Sequence, residues 1–268
     1  MPRHTHVGLS VYAKTYGTEP DTLFIHCSLA HQGAWAPLIA ATGLHGVAFD
    51  LPGHGRSADW DGQTDYQAQT AEIALSFCEE PQHVVGHSFG ATVALRLALD
   101  HPENVRSLTL IEPVFFAAAR GTPAFEAHEA AFAPFVDAME RGNKAEAARL
   151  FTDIWGSGAP WDSLPDGQRR YITERIHLIL AGAPAINDDN AGQLTPGRLE
   201  ALEIPTLLIG ADQSDQVTAA INAILQQRLP NAQSVQVKGT GHMGPISHPK
   251  LYAPAVTSFR DTLSSSSW

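Results

Sequence analysis

One serine lies in a glycine-flanked segment that could make it a nucleophile. Residues 86–90, GHSFG, match the pattern G-x-S-x-G. They follow an apolar run that predicts a strand and precede an Ala/Leu-rich run that predicts a helix, which is the context this pattern requires. Such a tight turn lifts the hydroxyl of Ser88 out of the sheet. The backbone N–H of Phe89, at the start of the helix, then points toward developing negative charge. We therefore expect Ser88 to attack a substrate and Phe89 to stabilise an oxyanion.

A serine nucleophile needs a base, because an isolated hydroxyl is a poor nucleophile at neutral pH. The chain has 13 histidines. His242 follows the last predicted strand and its glycine-rich loop, at the end of the sheet where a partner for Ser88 is expected. Other histidines are interpreted as residues that orient loops or turns or that pack on helices: His26, His54, His87, His128 and His177. His177 is also a candidate for the wall of a pocket.

The elements that must position these residues alternate between strands and helices in two parts of the chain. The pattern predicts strands over residues 7–16, 22–26, 46–50, 83–86, 105–111, 204–209 and 234–238. It predicts helices between them over residues 65–78, 90–100, 217–229 and 251–263. Such alternation with short loops indicates a parallel sheet covered on both faces.

The middle of the chain has a different pattern. Residues 115–201 contain no convincing strand, and they carry helical patterns over residues 124–140, 144–155 and 167–181, separated by Pro and Gly. The sequence therefore predicts an α/β core, formed by residues 1–114 and 202–268, with an inserted helical cap over residues 115–201. Aromatic residues of the insertion are expected to roof an apolar pocket: Phe115, Phe116, Phe125, Phe132, Phe135, Phe151, Trp155, Trp161 and Tyr171.

Four blocks in this order resemble the α/β-hydrolase superfamily over nearly the whole chain. They are LFIHCSLAHQGAW at 23–35, FDLPGHGRS at 49–57, VGHSFGA at 85–91 and GTGHM at 239–243. The resemblance implies the α/β-hydrolase fold, with a mostly parallel doubly wound sheet and an inserted helical cap, in the serine-nucleophile branch. It also implies that His242 is the catalytic base.

The first block departs from the family pattern at one position. Relatives usually have His-Gly where this chain has His26-Cys27, so the local backbone is expected to differ slightly. The resemblance implies that the N–H of the next residue, Ser28, is the second oxyanion donor beside that of Phe89. The hydroxyl of Ser28 could also donate.

A carboxylate must hold the base in the right tautomer. The position where this acid usually stands does not hold an acidic residue in this chain. In most relatives it is an aspartate three residues after the glycine that ends the seventh strand. That glycine is Gly210 here, and the third residue after it is Gln213. Asp212 and Asp215 flank this position, and either could serve if the loop has shifted.

Glu112 is the acid that we favour. It directly follows the predicted strand at 105–111, and strand ends at this edge of a parallel sheet face the active site. Its neighbours are apolar, and a carboxylate among them needs a partner. The 24-residue separation from Ser88 resembles that in a branch that includes the haloalkane dehalogenases, and a serine-hydrolase branch with a Glu-Pro segment here is also similar. Asp215 and Asp212 stay open as alternatives.

These residues predict acyl transfer, because the members that open halides or epoxides use an aspartate as the nucleophile. The expected activity is hydrolysis of a small-to-medium, fairly apolar carboxylic ester through an acyl-enzyme, with no metal or organic cofactor. A carbon–carbon bond hydrolase, a lactonase, a perhydrolase and a hydroxynitrile lyase could use the same residues. A small-molecule sensor on the same fold is an alternative of another class.

Composition excludes several other classes. The net charge of −11 opposes binding to nucleic acid, because phosphates are also negative. No stretch reaches the ~18 apolar residues of a membrane span, and the N-terminal residues lack the apolar run of a signal peptide. The two cysteines, Cys27 and Cys78, cannot form a disulfide framework, so we expect reduced thiols and a cytoplasmic location. The expected partner is a small ester-like molecule, and the sequence leaves homodimer formation open.

One nucleotide-binding pattern also occurs, and its context rejects it. Gly239, Gly241 and Gly244 fit G-x-G-x-x-G after a predicted strand. Pro245 follows at once, and too little chain remains for a complete βαβ unit with its acidic ribose ligand. A P-loop pattern is absent from the sequence.

Overall fold

The computed structural model describes residues 3–6 and 8–265, which form one eight-stranded sheet with helices on both faces. The strands are β1 (Arg3–His6), β2 (Leu9–Tyr16), β3 (Thr22–Ile25), β4 (Gly46–Phe49), β5 (Gln82–His87), β6 (Val105–Ile111), β7 (Thr206–Ala211) and β8 (Ala232–Val237). Their order across the sheet is β1-β2-β4-β3-β5-β6-β7-β8. The β1–β2 and β2–β4 pairs are antiparallel and the others are parallel. This confirms the predicted mostly parallel, doubly wound α/β sheet.

The helices divide between the sheet and an insertion. They are α1 (Ala36–Thr42), α2 (Tyr66–Leu75), α3 (Phe89–Asp100), α4 (Phe116–Ala119), α5 (Pro123–Glu140), α6 (Lys144–Trp155), α7 (Asp166–Arg175), α8 (His177–Asp188), α9 (Gln216–Arg228), α10 (Gly244–Ser247) and α11 (Pro249–Ser265). Helices α5–α8 lie between β6 and β7 in the chain, and we call them the cap. The predicted core segments include residues 1, 2, 7 and 266–268, which lie outside the described residues.

The central strands are apolar on both faces, which explains why helices cover both. In β3, Leu23 and Ile25 belong to one buried cluster, and Phe24 between them belongs to another. Successive strand residues point to opposite faces, so neither face of this strand meets water. The first cluster includes residues of α3 and α9, and the second includes residues of α1 and α11. A third cluster lies within the cap.

The prediction of a single helix over residues 167–181 was wrong. The structure ends α7 at Arg175 and begins α8 at His177, with the fully buried Ile176 at the junction. The two helices pack against different neighbours, α7 against α6 and α8 against α4 and α2. Helical periodicity reports a buried face but not a change in direction, so the break was not visible in the sequence.

Helix α8 is also longer than predicted. The predicted helical range ends at residue 181, but α8 continues through Gly182 and Pro184 to Asp188. A Cβ on Gly182 would lie 2.7 Å from the ring of Phe89. The glycine therefore allows the cap to approach the turn that carries Ser88 closely. Among the described residues, no helix is both long and apolar enough to cross a lipid bilayer.

Strand β1 and helix α1 are among the short elements that were not predicted. Strand β1 precedes the first predicted strand, and it pairs with β2. Helix α1 is only 7 residues long and is followed by a left-handed Gly43. Helix α1 packs on the distant helix α11, whereas β1 pairs with the adjacent β2 at the edge of the sheet.

Candidate active site

Ser88 sits at a sharp turn between β5 and α3. Its backbone has φ 56° and ψ −119°, a strained combination for a residue with a side chain. Gly86 and Gly90 permit the turn, because a Cβ on Gly86 would lie 2.3 Å from the carbonyl oxygen of Gly90. A Cβ on Gly90 would lie 2.2 Å from the carbonyl oxygen of Ile25. The two small residues of the motif are thus required by close backbone approach.

Three side chains form a continuous hydrogen-bonded line at the carboxyl ends of the parallel strands. The Oγ of Ser88 lies 2.9 Å from the Nε2 of His242. The Nδ1 of His242 lies 3.1 Å from the Oε2 of Glu112. With the proton on Nδ1 shared with the carboxylate, Nε2 accepts from the serine hydroxyl. All three residues are buried, and Glu112 is fully so. This arrangement can remove a proton from Ser88 as its oxygen attacks.

Glu112 is aimed at His242 by its own backbone and by two further donors. Its φ is 49°, in the left-handed region that non-glycine residues seldom occupy. Its Oε1 accepts from the N–H of Ala211 at 2.7 Å, and its Oε2 accepts from the hydroxyl of Ser214. Sequence reasoning missed Ser214, although it stands in the same loop as the vacant acid position. These donors leave the buried carboxylate paired on both oxygens.

The two alternative acids have other partners. Asp212 is exposed, and its Oδ1 accepts from the N–H of Gly239 at 2.7 Å. Asp215 caps α9 through the N–H of Val217, and its Oδ2 lies 3.0 Å from the Nδ1 of His128. Neither carboxylate forms a hydrogen bond with His242 in the part of the chain that the structure describes. Asp215 instead caps a helix, and Asp212 accepts a hydrogen bond from a loop.

The two expected oxyanion donors line the cavity that contains Ser88. Ser28 and Phe89 both contribute to its wall, next to His242. Within the described residues, neither backbone N–H donates to a protein acceptor. Two N–H groups beside the nucleophile can stabilise the negative oxygen of a tetrahedral intermediate.

Cys27 stands where relatives usually have glycine, and its backbone is not left-handed. Cys27 does not need a positive φ, which falls on Leu29 instead at 63°. The loop is fixed by His26, whose Nδ1 donates to the carbonyl oxygen of Cys27 while its Nε2 accepts from the N–H of Leu51. Burial raises the pKa of the Cys27 thiol to about 12, so it stays neutral and unreactive at ordinary pH.

Three buried histidines support the site as neutral rings. His26, His54 and His87 each have their pKa lowered to about 3, above all by burial. The Nε2 of His54 accepts from the N–H of Leu29 at 2.9 Å, and the Nε2 of His87 donates to the carbonyl oxygen of His242 at 2.9 Å. These contacts fit the predicted loop-orienting roles.

The neutral rings predict marked acid sensitivity. Below about pH 6.5 the unfolded chain takes up protons on these residues that the folded protein cannot bind. Stability that is present above pH 6.5 is therefore lost as the pH falls, by about 1.4 kcal/mol per pH unit for each histidine. We expect the urea midpoint to drop clearly between pH 7.5 and pH 5.0. In His54→Gln the free energy of unfolding should depend less steeply on pH, by the amount that corresponds to about one proton fewer taken up on unfolding. A midpoint equal at both pH values would contradict the prediction.

The cavity above Ser88 is mainly apolar, with a volume of about 130 Å³. Four of the nine aromatic residues predicted for its roof line it: Phe116, Phe132, Phe151 and Trp155. Tyr171 lines a second cavity of about 140 Å³, which shares Ser28, Phe151, Trp155 and Met243 with the first. The other four, Phe115, Phe125, Phe135 and Trp161, line neither cavity, and His177 is exposed on α8.

Trp155, the last residue of cap helix α6, contacts His242. Its ring centroid lies 4.6 Å from that of His242 in an edge-to-face contact. Trp155 also lines both cavities. No group of three or more His, Cys, Asp or Glu side chains among the described residues is arranged to hold a metal ion.

Comparisons with known proteins identify the family and the fold. A model of the alpha/beta hydrolase family matches residues 22–255. The chain is 29% identical over 255 residues to a pimeloyl-(acyl-carrier protein) methyl ester esterase of Nitrosomonas europaea, covering 91% of this chain and 96% of that protein. It is 40% identical over 246 residues to the dihydrolipoyllysine-residue acetyltransferase component of the acetoin cleaving system of Cupriavidus necator, covering 87% of this chain and 61% of that protein. The solved structure of a thermophilic esterase superposes with a TM-score of 0.74 at 23% identity, over 96% of this chain and 95% of that one, which shows the shared fold.

Proposed function

Because the chain belongs to the alpha/beta hydrolase family, we propose that it is a serine esterase that hydrolyses small-to-medium carboxylic esters through an acyl-enzyme. One observation carries the proposal: the Oγ of Ser88 lies 2.9 Å from the Nε2 of His242, whose Nδ1 lies 3.1 Å from Glu112. The similarity to a methyl ester esterase and the apolar cavity above Ser88 support the choice of an ester.

The reaction begins when the Oγ of Ser88 attacks the ester carbonyl carbon. The hydroxyl proton passes to the Nε2 of His242, and the carboxylate of Glu112 stabilises the resulting imidazolium. The electron pair of the carbonyl bond moves onto the oxygen, and the N–H groups of Ser28 and Phe89 donate hydrogen bonds to this negative oxygen. When the C–O bond to the alcohol breaks, His242 returns its proton to the leaving oxygen. A water molecule, deprotonated by His242, then attacks the acyl carbon. The bond between this carbon and the Oγ of Ser88 breaks, His242 returns the proton to Oγ, and the carboxylic acid leaves.

Acyl-enzyme formation is tested with a short nitrophenyl ester in rapid mixing. We expect nitrophenol release that depends on Ser88, with a burst approaching one equivalent wherever deacylation is the slower step. Mass spectrometry of acid-quenched protein should show the added acyl mass on the peptide that contains Ser88. If no ester of a panel with different acyl and alcohol groups reacts, the esterase proposal is wrong. Stabilisation by a bound small molecule without turnover would then favour the sensor alternative.

The apolar cavity predicts a preference for longer acyl chains. Each methylene moved from water into the cavity contributes about 0.8 kcal/mol, so kcat/KM for a hexanoate ester should exceed that for an acetate ester by at least about 10-fold. Ala183 lines the cavity, and Ala183→Leu should narrow it and lower hexanoate hydrolysis more than acetate hydrolysis. Nitrophenyl esters of both acids give the two ratios directly. Equal rates on the two esters with wild-type protein would contradict the model of an apolar acyl pocket.

A further inference from the structure

A second histidine–carboxylate pair faces the cavity above Ser88. His128 belongs to α5 of the cap, and its side chain is only 4% exposed. Its Nδ1 lies 3.0 Å from the Oδ2 of Asp215, at the start of α9 in the core. Asp215 is therefore shared between capping α9 and holding this ring. The structure agrees with the packed form of the predicted interpretation of His128, and it adds that the buried ring lines a cavity.

The ring of His128 is held in one orientation by aromatic neighbours. It stacks on Phe116 at 4.6 Å and on Phe132 at 5.4 Å between centroids, and it meets Trp155 edge to face at 5.3 Å. Since Nδ1 is engaged by Asp215, the remaining polar atom of the ring is Nε2. No residue in the described part of the chain forms a hydrogen bond with this atom, and it is not among the polar atoms sealed from solvent. The Nε2 atom is thus open to the cavity that His128 lines.

This polar atom lies in the same cavity as the nucleophile. The ring of Trp155 contacts those of both His242 and His128, so the two imidazole centroids are separated by no more than the sum of those two short distances. Much of the wall is apolar. Of the other polar cap residues that line it, Glu129 is exposed and Asn187 is half-buried, so both can be satisfied by water. Among these three side chains, His128 is the buried one.

Building on the proposed esterase function, we propose that the Nε2 of His128 binds a hydroxyl group on the acyl chain of the substrate, so that the protein selects hydroxyacyl esters. A neutral ring that donates through Nδ1 presents Nε2 as an acceptor, whereas a protonated ring presents it as a donor. A hydroxyl group is the simple substituent that pairs with both forms. An acyl chain without such a group leaves the buried Nε2 unpaired, which disfavours its binding.

The test compares matched methyl esters, whose small alcohol group leaves the acyl chain to occupy the cavity. Values of kcat/KM are measured by acid release for methyl hexanoate, methyl 3-hydroxyhexanoate and methyl 6-hydroxyhexanoate, and for methyl butanoate and methyl 3-hydroxybutanoate. For at least one hydroxy ester we expect about a 10-fold advantage over its parent. In His128→Phe, which keeps an aromatic ring in the stack, the ratio should fall to about one or below. The matched control is His177→Phe, since His177 is exposed on the cap and outside both cavities, and there the ratio should persist.

The outcomes distinguish the assignment of His128 from the proposed esterase function. Wild-type turnover without a hydroxyl preference overturns the assignment of His128, whether or not the variant folds. A preference that survives in His128→Phe also overturns it. A larger advantage for monomethyl adipate would replace the hydroxyl group by a carboxylate as the group that is bound. Absence of Ser88-dependent turnover with any ester would overturn the proposed function itself, and this inference with it.

Discussion

Replacing Ser88 by alanine is expected to lower kcat for ester hydrolysis by at least about 10⁴-fold, because no other hydroxyl lies within reach of the Nε2 of His242 in the described structure. The substitution removes one oxygen and leaves the backbone turn between Gly86 and Gly90 unchanged. Alanine and serine are similarly strained at φ 56°, so the stability of the fold should change little.

Steady-state kinetics with a nitrophenyl ester, together with a thermal unfolding curve, checks this result. Ser28→Ala is the informative comparison, because it removes a hydroxyl in the same cavity but keeps the backbone N–H expected to receive the oxyanion. Its effect should be far smaller than that of Ser88→Ala. A Ser88→Ala protein that keeps full activity would refute the nucleophile assignment, and a large loss in Ser28→Ala would move the second oxyanion contact to the hydroxyl.

Replacing Glu112 by glutamine is expected to lower kcat by about 10³–10⁴-fold. The amide keeps the shape of the side chain but loses the charge that stabilises the imidazolium of His242. It can also present an N–H group to Nδ1, which would favour the wrong tautomer of the base. The effect should appear in kcat more than in KM, since Glu112 is fully buried behind His242 and does not line the cavity.

The two alternative acids provide the controls for this experiment. Asp212→Asn should leave activity unchanged, because Asp212 is exposed and accepts a hydrogen bond from the N–H of Gly239, which an asparagine oxygen can also accept. Asp215→Asn should lower turnover of an unsubstituted ester far less than Glu112→Gln. If the Asp215 variant instead shows the greater loss, the loop after β7 supplies the acid, and the geometry around Glu112 has a structural role only.

The turn that carries Ser88 was predictable because all its determinants are close in sequence. A strand, two glycines, a serine and a helix start within residues 82–100 define both the close backbone approach and the exposed hydroxyl. The alternation of strands and helices likewise predicted the parallel sheet and the inserted helices, because apolar runs report directly which segments are buried on both faces. The cap helices α5 and α6 begin and end within about one residue of the predicted ranges.

Only the tertiary structure decided which polar groups meet across the ends of the strands. Glu112, Asp212 and Asp215 were all plausible by position, and the choice depends on the left-handed backbone of Glu112 and on the donors from Ala211 and Ser214. The same holds for the contact of Asp215 with the cap residue His128, 87 positions away. The sequence by itself determined the fold and the turn that carries Ser88, because these follow from local spacing and the burial of apolar residues. The directions of distant side chains were left to the tertiary structure, since they are set by packing between segments that no local pattern relates.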